Sequence, residues 1–451
     1  MKRSTILTFL LLSGLVAGSV TAAPHPQPAY QLGPPAVDPA FAPKVVLGRS
    51  RLTYWPHLLA SPAGAYSNTL QLVYLQDNQQ LIYRQSTDGG LNWQPAEPFG
   101  GAPEWDGSAG NLATTIDQAG KLTACWYQLY GPTYPRIHCR SRSGEGSWQP
   151  ELGVPGTGDQ AHMKVGVPAG DADGNLHLLI GRGSVNMFYT ATADGSEWNP
   201  QQNMPVTTTS RPNPTFLPTS LIALHGEGAM LAAWGDARGL DGQGGDSWQL
   251  MTAYARAAPG SKDSWQTYYF TDTDSAGNFT AGAGQYRPAM VEVAQGRVGM
   301  VFECRPSLGV ADRDICYREW QAERAEAGIM GGWLTATITI AHTEPGITEA
   351  PAVAVDAATG QVYVCWQDQW SNLRITCSYS ADGVNWHAPF LVDGGPFTRQ
   401  KMVSIAVTRD AGGGKLHVAW ADSQAEELAI FYTWRPLPDR YPEAAPTPPN
   451  P

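Results

Sequence analysis

A short apolar strand introduced by a glycine recurs along most of this 451-residue chain. A glycine stands six residues before a bulky, usually aromatic residue in six places: Gly120/Trp126, Gly174/Ile180, Gly228/Trp234, Gly296/Phe302, Gly360/Trp366 and Gly414/Trp420. A seventh, atypical copy without the glycine is the run from Leu70 to Leu75. Counted from Leu75, the bulky residues follow one another at intervals of 51, 54, 54, 68, 64 and 54 residues. This period is too long for the single turns of a solenoid and is typical of a four-stranded propeller blade.

The residues around each glycine predict the other strands of the repeat. An apolar run such as Pro351–Asp356 precedes the glycine, and a third strand, a turn and a tryptophan follow it. We therefore expect an all-β chain that forms a single seven-bladed β-propeller of four-stranded antiparallel blades, with strands A to D from the inside outwards. The last copy ends after its third strand, 428–434, because the proline-rich residues 435–451 cannot pair into a sheet. Residues 44–47 can supply the missing strand, so that an N-terminal strand closes the ring in the last blade.

The two ends of the chain differ in composition from its body. Residues 1–22 have the pattern of a secretory signal peptide, with Lys2 and Arg3 before an apolar stretch and small residues before the cleavage site. We expect residues 23–43 to be an exposed proline-rich leader, 44–435 to be the propeller and 436–451 to be a proline-rich tail. The later sequence contains no apolar run of the roughly 18 residues that a spanning helix needs. We thus expect a secreted or otherwise extracytoplasmic monomer without a transmembrane segment.

The six cysteines form three local pairs. Their separations are 14, 12 and 12 residues, and in each pair the two members lie in consecutive strand-like runs. Opposite residues on adjacent antiparallel strands have Cβ atoms about 4.5–5.5 Å apart, which is close enough for a disulfide. The predicted disulfides are Cys125–Cys139, Cys304–Cys316 and Cys365–Cys377. A cysteine metal site is disfavoured because no C-x-x-C pair is present.

Charge narrows the class of ligand. The formal net charge of −11 disfavours a nucleic-acid partner, because a phosphate backbone is bound by basic surfaces. Two acidic stretches, 171–175 and 272–278, resemble calcium loops. The first falls at a predicted hairpin turn, where Asp and Gly are expected anyway, and the second leaves Ca²⁺ as a candidate ion. Otherwise we expect neither a cofactor nor a metal.

A turn motif after the third strand carries a resemblance to a known family. Ser86-Thr-Asp-Gly-Gly-Leu-Asn-Trp93 matches S-x-D-x-G-x-x-W, the Asp-box or BNR repeat, and resembles the turns of sialidases and related propellers. Shorter or altered copies occur at 141–148, 192–198 and 380–386. The aspartate is expected to accept backbone N–H groups, the glycine to take a positive φ and the tryptophan to pack between sheets. These boxes are therefore predicted to be structural.

Polar residues are predicted to gather at one mouth of the channel, because the loops from D to A and from B to C share one face. Those at the starts of the A strands are Tyr54, His57, Asn111, His162, Lys164, Arg211, Arg287, Glu349, Gln400 and Lys401. Those at the ends of the B strands are Asp77, Gln128, Arg182, Asp236, Cys304, Asp368 and Asp422, with Glu303 and Arg305 flanking Cys304. Arginines and carboxylates at one opening suit an anionic sugar. Any propeller also needs polar residues at a wet mouth, so a purely structural interpretation stays open.

The resemblance implies a sialidase-like glycoside hydrolase. Sialidases bind the substrate carboxylate with three arginines, the first in a Phe/Tyr-Arg-Ile-Pro motif, and use a tyrosine nucleophile with a glutamate partner plus an aspartic acid. Tyr286-Arg287-Pro288 is similar to that motif but lacks the isoleucine and lies in the fifth copy, and those sialidases have six blades. The candidate substrate-binding residues are Arg287, Arg211, Arg238, Arg305 and Arg182. The candidate catalytic residues are Asp236, Asp368, Glu349 and His162.

Two other functions remain open. Residues 159–162 and 174–177 are similar to the Asp-Asp-His and Gly-x-Leu-His stretches of seven-bladed polysaccharide lyases related to ulvan lyases. That resemblance implies His162 as a base or charge neutraliser, with Tyr189 and Arg211 as helpers on a uronate-containing glycan. The third interpretation is a non-catalytic propeller that binds a glycan or a protein. The sequence leaves open whether the chain is an enzyme, and favours a hydrolase over a lyase if it is one.

Overall fold

The computed structural model describes most of the chain between its two ends. It covers residues 36–437 apart from 51–53, 63–67, 77–79, 101–111, 131–133, 145, 156, 158–162, 183–185, 194–196, 205–218, 226–227, 237–248, 257–263, 270–284, 305–312, 323–330, 342–347, 369–372, 394–399 and 425–426. The described residues form 29 strands. Within them, no helix has the length and apolar character needed to cross a membrane.

The strands form seven antiparallel sheets, which we number as blades 1 to 7. The first three are β2(Tyr54–Ala60)-β3(Leu70–Gln76)-β4(Gln80–Ser86)-β5(Glu97–Gly100), β6(Leu112–Ile116)-β7(Lys121–Tyr130)-β8(Tyr134–Ser143)-β9(Leu152–Gly153) and β10(Met163–Gly170)-β11(Leu176–Arg182)-β12(Asn186–Thr192)-β13(Gln202–Asn203). Blades 4 and 5 are β14(Ser220–Ala223)-β15(Met230–Asp236)-β16(Gln249–Ala255)-β17(Gln266–Tyr269) and β18(Gln285–Ala294)-β19(Arg297–Cys304)-β20(Asp314–Gln321)-β21(Gly332–Trp333), where β22(Ile338–Ala341) also pairs with β20. Blades 6 and 7 are β23(Thr348–Asp356)-β24(Gln361–Asp368)-β25(Arg374–Ser380)-β26(Phe390–Leu391) and β27(Gln400–Asp410)-β28(Gly413–Gln424)-β29(Glu427–Leu437)-β1(Val45–Ser50).

The sheets close into a ring, which confirms the predicted seven-bladed propeller. Each innermost strand contacts the innermost strand of the next blade, in the cycle β2, β6, β10, β14, β18, β23, β27 and back to β2. The predicted N-terminal strand is confirmed as well, because β1 pairs antiparallel with β29 and supplies the outermost strand of blade 7. Closure by chain ends that are distant in sequence removes the open edge that blade 7 would otherwise present.

The core is divided among the interfaces between blades. Buried apolar clusters fill all seven interfaces, and the bulky residue of each repeat packs toward the preceding blade, as Trp366 does toward blade 5. In blade 1 this place belongs to Tyr74, which packs toward blade 7, whereas Leu75 packs toward blade 2. Our alignment of Leu75 with the other repeats was therefore wrong by one residue. The repeat period is still valid after this correction, because it follows from the position of strand β3 and moves by only one residue when Tyr74 replaces Leu75.

The two Asp-boxes that are fully described have the predicted structural role. The Asp382 carboxylate accepts the backbone N–H groups of Val384 and Asn385 at 2.8 and 2.7 Å. Gly383 takes φ of +73°, and Trp386 meets Tyr317 of blade 5 edge-on, with ring centroids 5.0 Å apart. Such an aromatic pair contributes about 0.5–1.5 kcal/mol beyond its buried area.

The same geometry appears at the closure of the ring. Asp88 accepts the Asn92 backbone N–H at 2.9 Å, and Trp93 meets Tyr432 of blade 7 at 5.0 Å. Glycine is required at position 90, because a Cβ there would collide with the Tyr432 hydroxyl. The Asp-box turns therefore join neighbouring blades and do not contribute to the predicted mouth.

The described segments on either side of the propeller body make backbone contacts that the sequence did not predict. Residues 36–43, predicted as part of an exposed leader, lie against blades 6 and 7: the Asp38 N–H donates to the Leu391 carbonyl at 3.1 Å, and the Ala42 N–H donates to the Trp434 carbonyl at 2.8 Å. At the other end, β29 continues to Leu437 and includes Pro436, whereas we expected pairing to stop at Trp434. Proline is tolerated there because β1 pairs with β29 only as far as Tyr432, so the missing N–H removes no bond to β1.

The three predicted disulfides are confirmed. Cys125–Cys139 and Cys365–Cys377 join residues that are directly opposite in the ladder, with Cα atoms 4.1 and 4.0 Å apart. Cys304–Cys316 differs from the expected opposite pairing. It is diagonal, because Cys304 lies opposite Asp314, and its Cα atoms are 5.9 Å apart. Three disulfides indicate an oxidising, extracytoplasmic compartment.

We expect one blade contact to make stability depend on pH. His225 of blade 4 pairs with the nearly buried Glu292 of blade 5. The hydrogen bond to Glu292 raises the pKa of His225 above 6.5, although burial opposes this. Burial also opposes ionisation of Glu292, but the hydrogen bonds from His225 and the Gly296 N–H lower its pKa below 4.5.

The directions of these two pKa shifts define a pH range in which the pair stabilises the fold. The contribution of His225 is fully present below about pH 6.5 and is lost as pH rises through its folded pKa, and that of Glu292 is present above about pH 4.5 and is lost as pH falls through its folded pKa. Urea unfolding of the wild type and of Glu292→Gln should therefore differ most between these values. Because His225 is 59% exposed, we expect the pair to add no more than about 1 kcal/mol. A difference that grows steadily above pH 7 would contradict this assignment.

Candidate functional site

Blades 5 and 6 bring four charged side chains together at one edge of their sheets. Arg287 lies near the start of β18, Glu303 near the end of β19 and Arg313 immediately before β20. Glu349 lies near the start of β23 in the next blade. In antiparallel blades the starts of strands A and C and the ends of strand B share one edge, which we call the mouth. We call these four residues the ion quartet.

Each arginine of the ion quartet contacts both glutamates through Nη1. Arg287 Nη1 lies 3.0 Å from Glu303 Oε1 and 3.7 Å from Glu349 Oε2. Arg313 Nη1 lies 3.0 Å from Glu303 Oε2 and 3.1 Å from Glu349 Oε1. Among the described residues, these contacts join two cations and two anions in one network. Charge-assisted hydrogen bonds of this kind are roughly twice as strong as neutral ones.

The two glutamates differ in burial. The Glu303 side chain has no exposed surface, and its Oε1 also accepts the Ala350 N–H at 2.8 Å. Glu349 keeps 21% of its side chain exposed, and Arg287 and Arg313 keep 23% and 22%. Glu303 is therefore the buried anchor of the quartet. The other three side chains present part of their charge to solvent.

The backbone fixes Arg313 beside its partners. The Arg313 carbonyl accepts the Thr348 N–H at 3.1 Å, which joins blade 5 to blade 6 at this point. The disulfide Cys304–Cys316 ties the end of β19 to β20 beside Glu303 and Arg313. The geometry of the quartet is thus held by covalent and inter-blade contacts on both sides.

The equivalent interface between blades 6 and 7 shows that the fold does not require these charges. The same register, with a shift between Glu349 and Ala352 or between Lys401 and Ser404, aligns the two interfaces residue by residue. Arg287, Glu303, Arg313 and Glu349 correspond there to Ala350, Gln367, Leu373 and Lys401. The bond from Thr348 to Arg313 also recurs, as the Gln400 N–H donates to the Leu373 carbonyl at 2.7 Å. Of these four equivalent positions, only that of Lys401 has a charged residue type.

The unusual backbone at this edge is a property of the fold. Arg287, Ala350 and Met402 have φ of +47°, +52° and +54° at equivalent bulges in blades 5, 6 and 7. A positive φ at a residue other than glycine costs about 1–3 kcal/mol and is kept where the surrounding structure over-determines it. Only one of the three carries a charged side chain, so the bulge does not by itself mark a site. It does turn Arg287 toward Glu303.

The structure brings together some of the site residues predicted from the sequence and adds one that was missed. The structure brings together Arg287 and Glu349, which we proposed, and Glu303, which we noted only as a neighbour of Cys304. Arg313 was missed, because the loop before β20 gave no strand pattern from which to count. Its position directly before a third strand, at the same edge as the start of an A strand, was the available signal.

Three other predicted mouth residues lie in the described part of the chain. Asp368 is buried at the end of β24, opposite Thr348 and Arg374. Gln400 is fully buried, and its side-chain oxygen accepts the Ile375 N–H at 2.7 Å. His57 lies on the inner strand of blade 1, where burial lowers its pKa to about 4 against the opposing hydrogen bond to the Leu112 backbone.

Several proposed residues cannot be placed in the site. His162, Arg211, Arg238 and Arg305 lie outside the described residues, as do Asp77 and Asn111. Asp236 and Arg182 end strands β15 and β11 at the mouth, and nothing is described of their side chains. The roles proposed for all of these stay predictions.

Two residues of the lyase-like stretches and their predicted helpers, Tyr189 and His177, are buried in the interior. Tyr189 is buried, its hydroxyl contacts His177 Nδ1 at 2.5 Å, and burial followed by the Asp171 charge raises its pKa. His177 is buried too, with Nε2 at 3.0 Å from Asp171. The same pair recurs in blade 7, where His417 Nδ1 lies 2.8 Å from the Tyr432 hydroxyl. Tyr189 is therefore held by contacts that recur as structural ones in another blade, and the helper role suggested for it stays a prediction.

The first acidic stretch is a turn, as its hairpin position suggested. The Asp171 carboxylate accepts the N–H groups of Asp173 and Asn175 at 3.0 and 2.8 Å and the Asn175 side-chain amide at 2.7 Å. Its oxygens are thereby used within the turn. The second stretch, 272–278, lies outside the described residues. Among the residues that are described, no group of three or more His, Cys, Asp or Glu side chains is arranged to hold a metal ion.

Comparison with known proteins identifies similar folds. No family model and no curated sequence matches the chain. Among solved structures, the BP39L lectin from Burkholderia pseudomallei has a TM-score of 0.57 at 12% identity, covering 85% of this chain and 97% of the lectin. A PL25 ulvan lyase bound to -[GlcA(1-4)Rha3S]- has a TM-score of 0.54 at 11% identity, covering 86% and 95%. The polysaccharide lyase Uly1 has a TM-score of 0.50 at 10% identity, covering 87% and 91%. At identities this low, the structural similarity shows a shared fold alone.

We predict that the two glutamates of the quartet differ sharply in their effect on stability. Glu303→Ala leaves two guanidinium groups beside a buried void and should lower the free energy of unfolding by about 3–5 kcal/mol. Glu349→Ala removes a partly exposed ion pair and should cost less than about 1 kcal/mol. Urea unfolding of both variants against the wild type measures the difference. Equal losses would show that Glu303 is not the anchor.

Proposed function

We propose that this protein binds an acidic carbohydrate at the mouth between blades 5 and 6, with Arg287 as the receptor for the carboxylate of the sugar. The ion quartet carries the proposal, because the equivalent interface between blades 6 and 7 folds with Ala350, Gln367, Leu373 and Lys401 in its place. Charges that the architecture does not require, held on a rigid sheet edge and partly open to solvent, are typical of a recognition site.

Arg287 has donors left for a ligand. Its contacts with the other described residues, those to Glu303 and Glu349, both use Nη1. Nε and Nη2 point along the other edge of the planar guanidinium, and this edge can form two parallel hydrogen bonds with a carboxylate. The Glu303 contact fixes the orientation of that edge. Less side-chain freedom is then lost when the ligand binds.

The similar propellers support a carbohydrate as the ligand class. One is a lectin, and one is a lyase bound to an oligosaccharide that contains glucuronic acid. Carboxylate-bearing sugars match the guanidinium edge better than neutral sugars do. Export through a signal peptide, which we also propose, would place the protein where extracellular glycans occur, in keeping with its three disulfides.

Glycoside hydrolysis is the second candidate, and Glu349 favours it. Glu349 is a partly exposed carboxylate beside two arginines at the mouth, which suits a nucleophile or a base. Asp368, Asp236 and His162 remain candidates for the partner group. Assays with fluorogenic sialosides and uronate polymers would test it: turnover that is lost in Glu349→Gln, with folding intact, would support hydrolysis over binding alone.

The binding proposal predicts a selective effect of one arginine. Arg287→Ala should weaken binding of 3′-sialyllactose or a galacturonate hexamer about 10- to 100-fold, the equivalent of the roughly 1.5–3 kcal/mol of a hydrogen bond to a charged group. Binding would be measured by isothermal titration calorimetry, with maltohexaose as the neutral comparison and thermal melting to check folding.

The chain provides a matched control in the same blade. Arg297, at the opposite end of β19, also pairs with a nearly buried glutamate, Glu319, at 2.7 Å. Arg297→Ala should therefore leave acidic-sugar binding unchanged. Equal losses in the two variants, or full binding by Arg287→Ala, would rule out Arg287 as the receptor.

A further inference from the structure

We infer that Glu349 is an internal competitor: an acidic ligand that bonds the Nε and Nη2 edge of Arg287 must displace Glu349 to reach Arg313 as well, while Glu303 holds the two arginines in place. The inference rests on the proposed function and adds a regulatory element to the same site. It predicts that removing the charge of Glu349 raises ligand affinity and that removing the charge of Glu303 does not, although both glutamates lie beside the same two nitrogen atoms.

The contacts of the two glutamates are unequal. Glu303 makes two contacts of 3.0 Å with the arginines and accepts a backbone N–H at 2.8 Å, and its side chain has no exposed surface. Glu349 makes one contact of 3.1 Å with Arg313, and its distance to Arg287 is 3.7 Å, beyond a hydrogen bond. Glu349 is therefore the weaker and more accessible of the two anions.

A ligand carboxylate can replace Glu349 without changing the charge balance of the quartet. Two guanidinium groups and two carboxylates remain in contact if the sugar takes the place of Glu349 and the Glu349 side chain turns into solvent. A ligand cannot replace Glu303 in the same way, because the Glu303 carboxylate is fully buried and accepts a hydrogen bond from the Ala350 N–H of blade 6. Displacing it would leave the Ala350 N–H without its acceptor.

Competition of this kind makes the site selective. A neutral sugar cannot compensate two arginines for the loss of Glu349, whereas a carboxylate can. The quartet itself is electrically balanced, and an anionic ligand has to outcompete an attached carboxylate of high effective concentration. Removing the competitor should raise affinity for acidic sugars and leave neutral sugars unaffected.

The test compares two charge-neutralising variants. Glu349→Gln should bind 3′-sialyllactose or the galacturonate hexamer about five- to tenfold more tightly than the wild type, because it removes both the competitor and a nearby like charge. Glu303→Gln removes the same charge at the same two arginines but also their anchor, so its affinity should be unchanged or lower. Isothermal titration calorimetry gives both affinities.

Two controls separate the inference from a general charge effect. Glu97→Gln removes a partly exposed glutamate that pairs with Arg142 at 2.6 Å, at the edge of blades 1 and 2 opposite the mouth, and should leave affinity unchanged. The double variant Arg287→Ala/Glu349→Gln should lose the gain seen in Glu349→Gln. A double variant that keeps the higher affinity would show that the effect of Glu349→Gln does not depend on Arg287.

Each outcome decides the inference. Unchanged or weaker binding by Glu349→Gln, or equal tightening by Glu349→Gln and Glu303→Gln, would overturn it, and Arg287-dependent binding by the wild type would meanwhile keep the proposed function. If neither the wild type nor Glu349→Gln binds either acidic probe, the inference and the proposed function both fail. If Glu303→Gln does not fold, the comparison of Glu349→Gln with the double variant still decides.

Discussion

Packing between neighbouring blades is the interaction on which the whole molecule depends. Each sheet buries its two faces against the two neighbouring sheets, and apolar clusters fill all seven interfaces. No blade can therefore bury its core alone, and the ring must close for the first and last blades to be covered. Closure depends on β1 in blade 7 and on the contact of Trp93 with Tyr432. The inward strands, and with them the mouth, are positioned by this packing.

The same repetition provides an internal standard for function. Because the blades share a register, a residue at one interface can be compared with its equivalent at the next. By this comparison the buried histidine and tyrosine pairs are structural, since His177 with Tyr189 recurs as His417 with Tyr432. The ion quartet of blades 5 and 6 is absent from its equivalent position between blades 6 and 7. A difference between repeats that the fold does not require is the better indicator of a site.

A large part of the fold could be read from the sequence, and a smaller part of the site. The glycine-led strand, the Asp-box motif and the cysteine spacing are local patterns, so they predicted the blades, the structural turns between them and the three disulfides. Arg287 and Glu349 could be proposed by counting from strand starts. Arg313 could not, and Glu303 could not be recognised as the centre of the quartet. Their importance comes from contacts across two blades, with Glu303 receiving the N–H of Ala350 from the next blade.

Sequence alone thus determined the number of blades, the pairing of the cysteines and the supply of the last strand from the N-terminus, because each depends on spacing along one chain. The tertiary structure decided which charged residues meet. It selected Arg287, Glu303, Arg313 and Glu349, buried Asp368 and Gln400, and placed Tyr189 in the interior. The physical reason is that contact between blades depends on register and on the bulges at the strand starts. A shift of one residue, as at Tyr74 and Leu75, turns a side chain to the other face of its sheet.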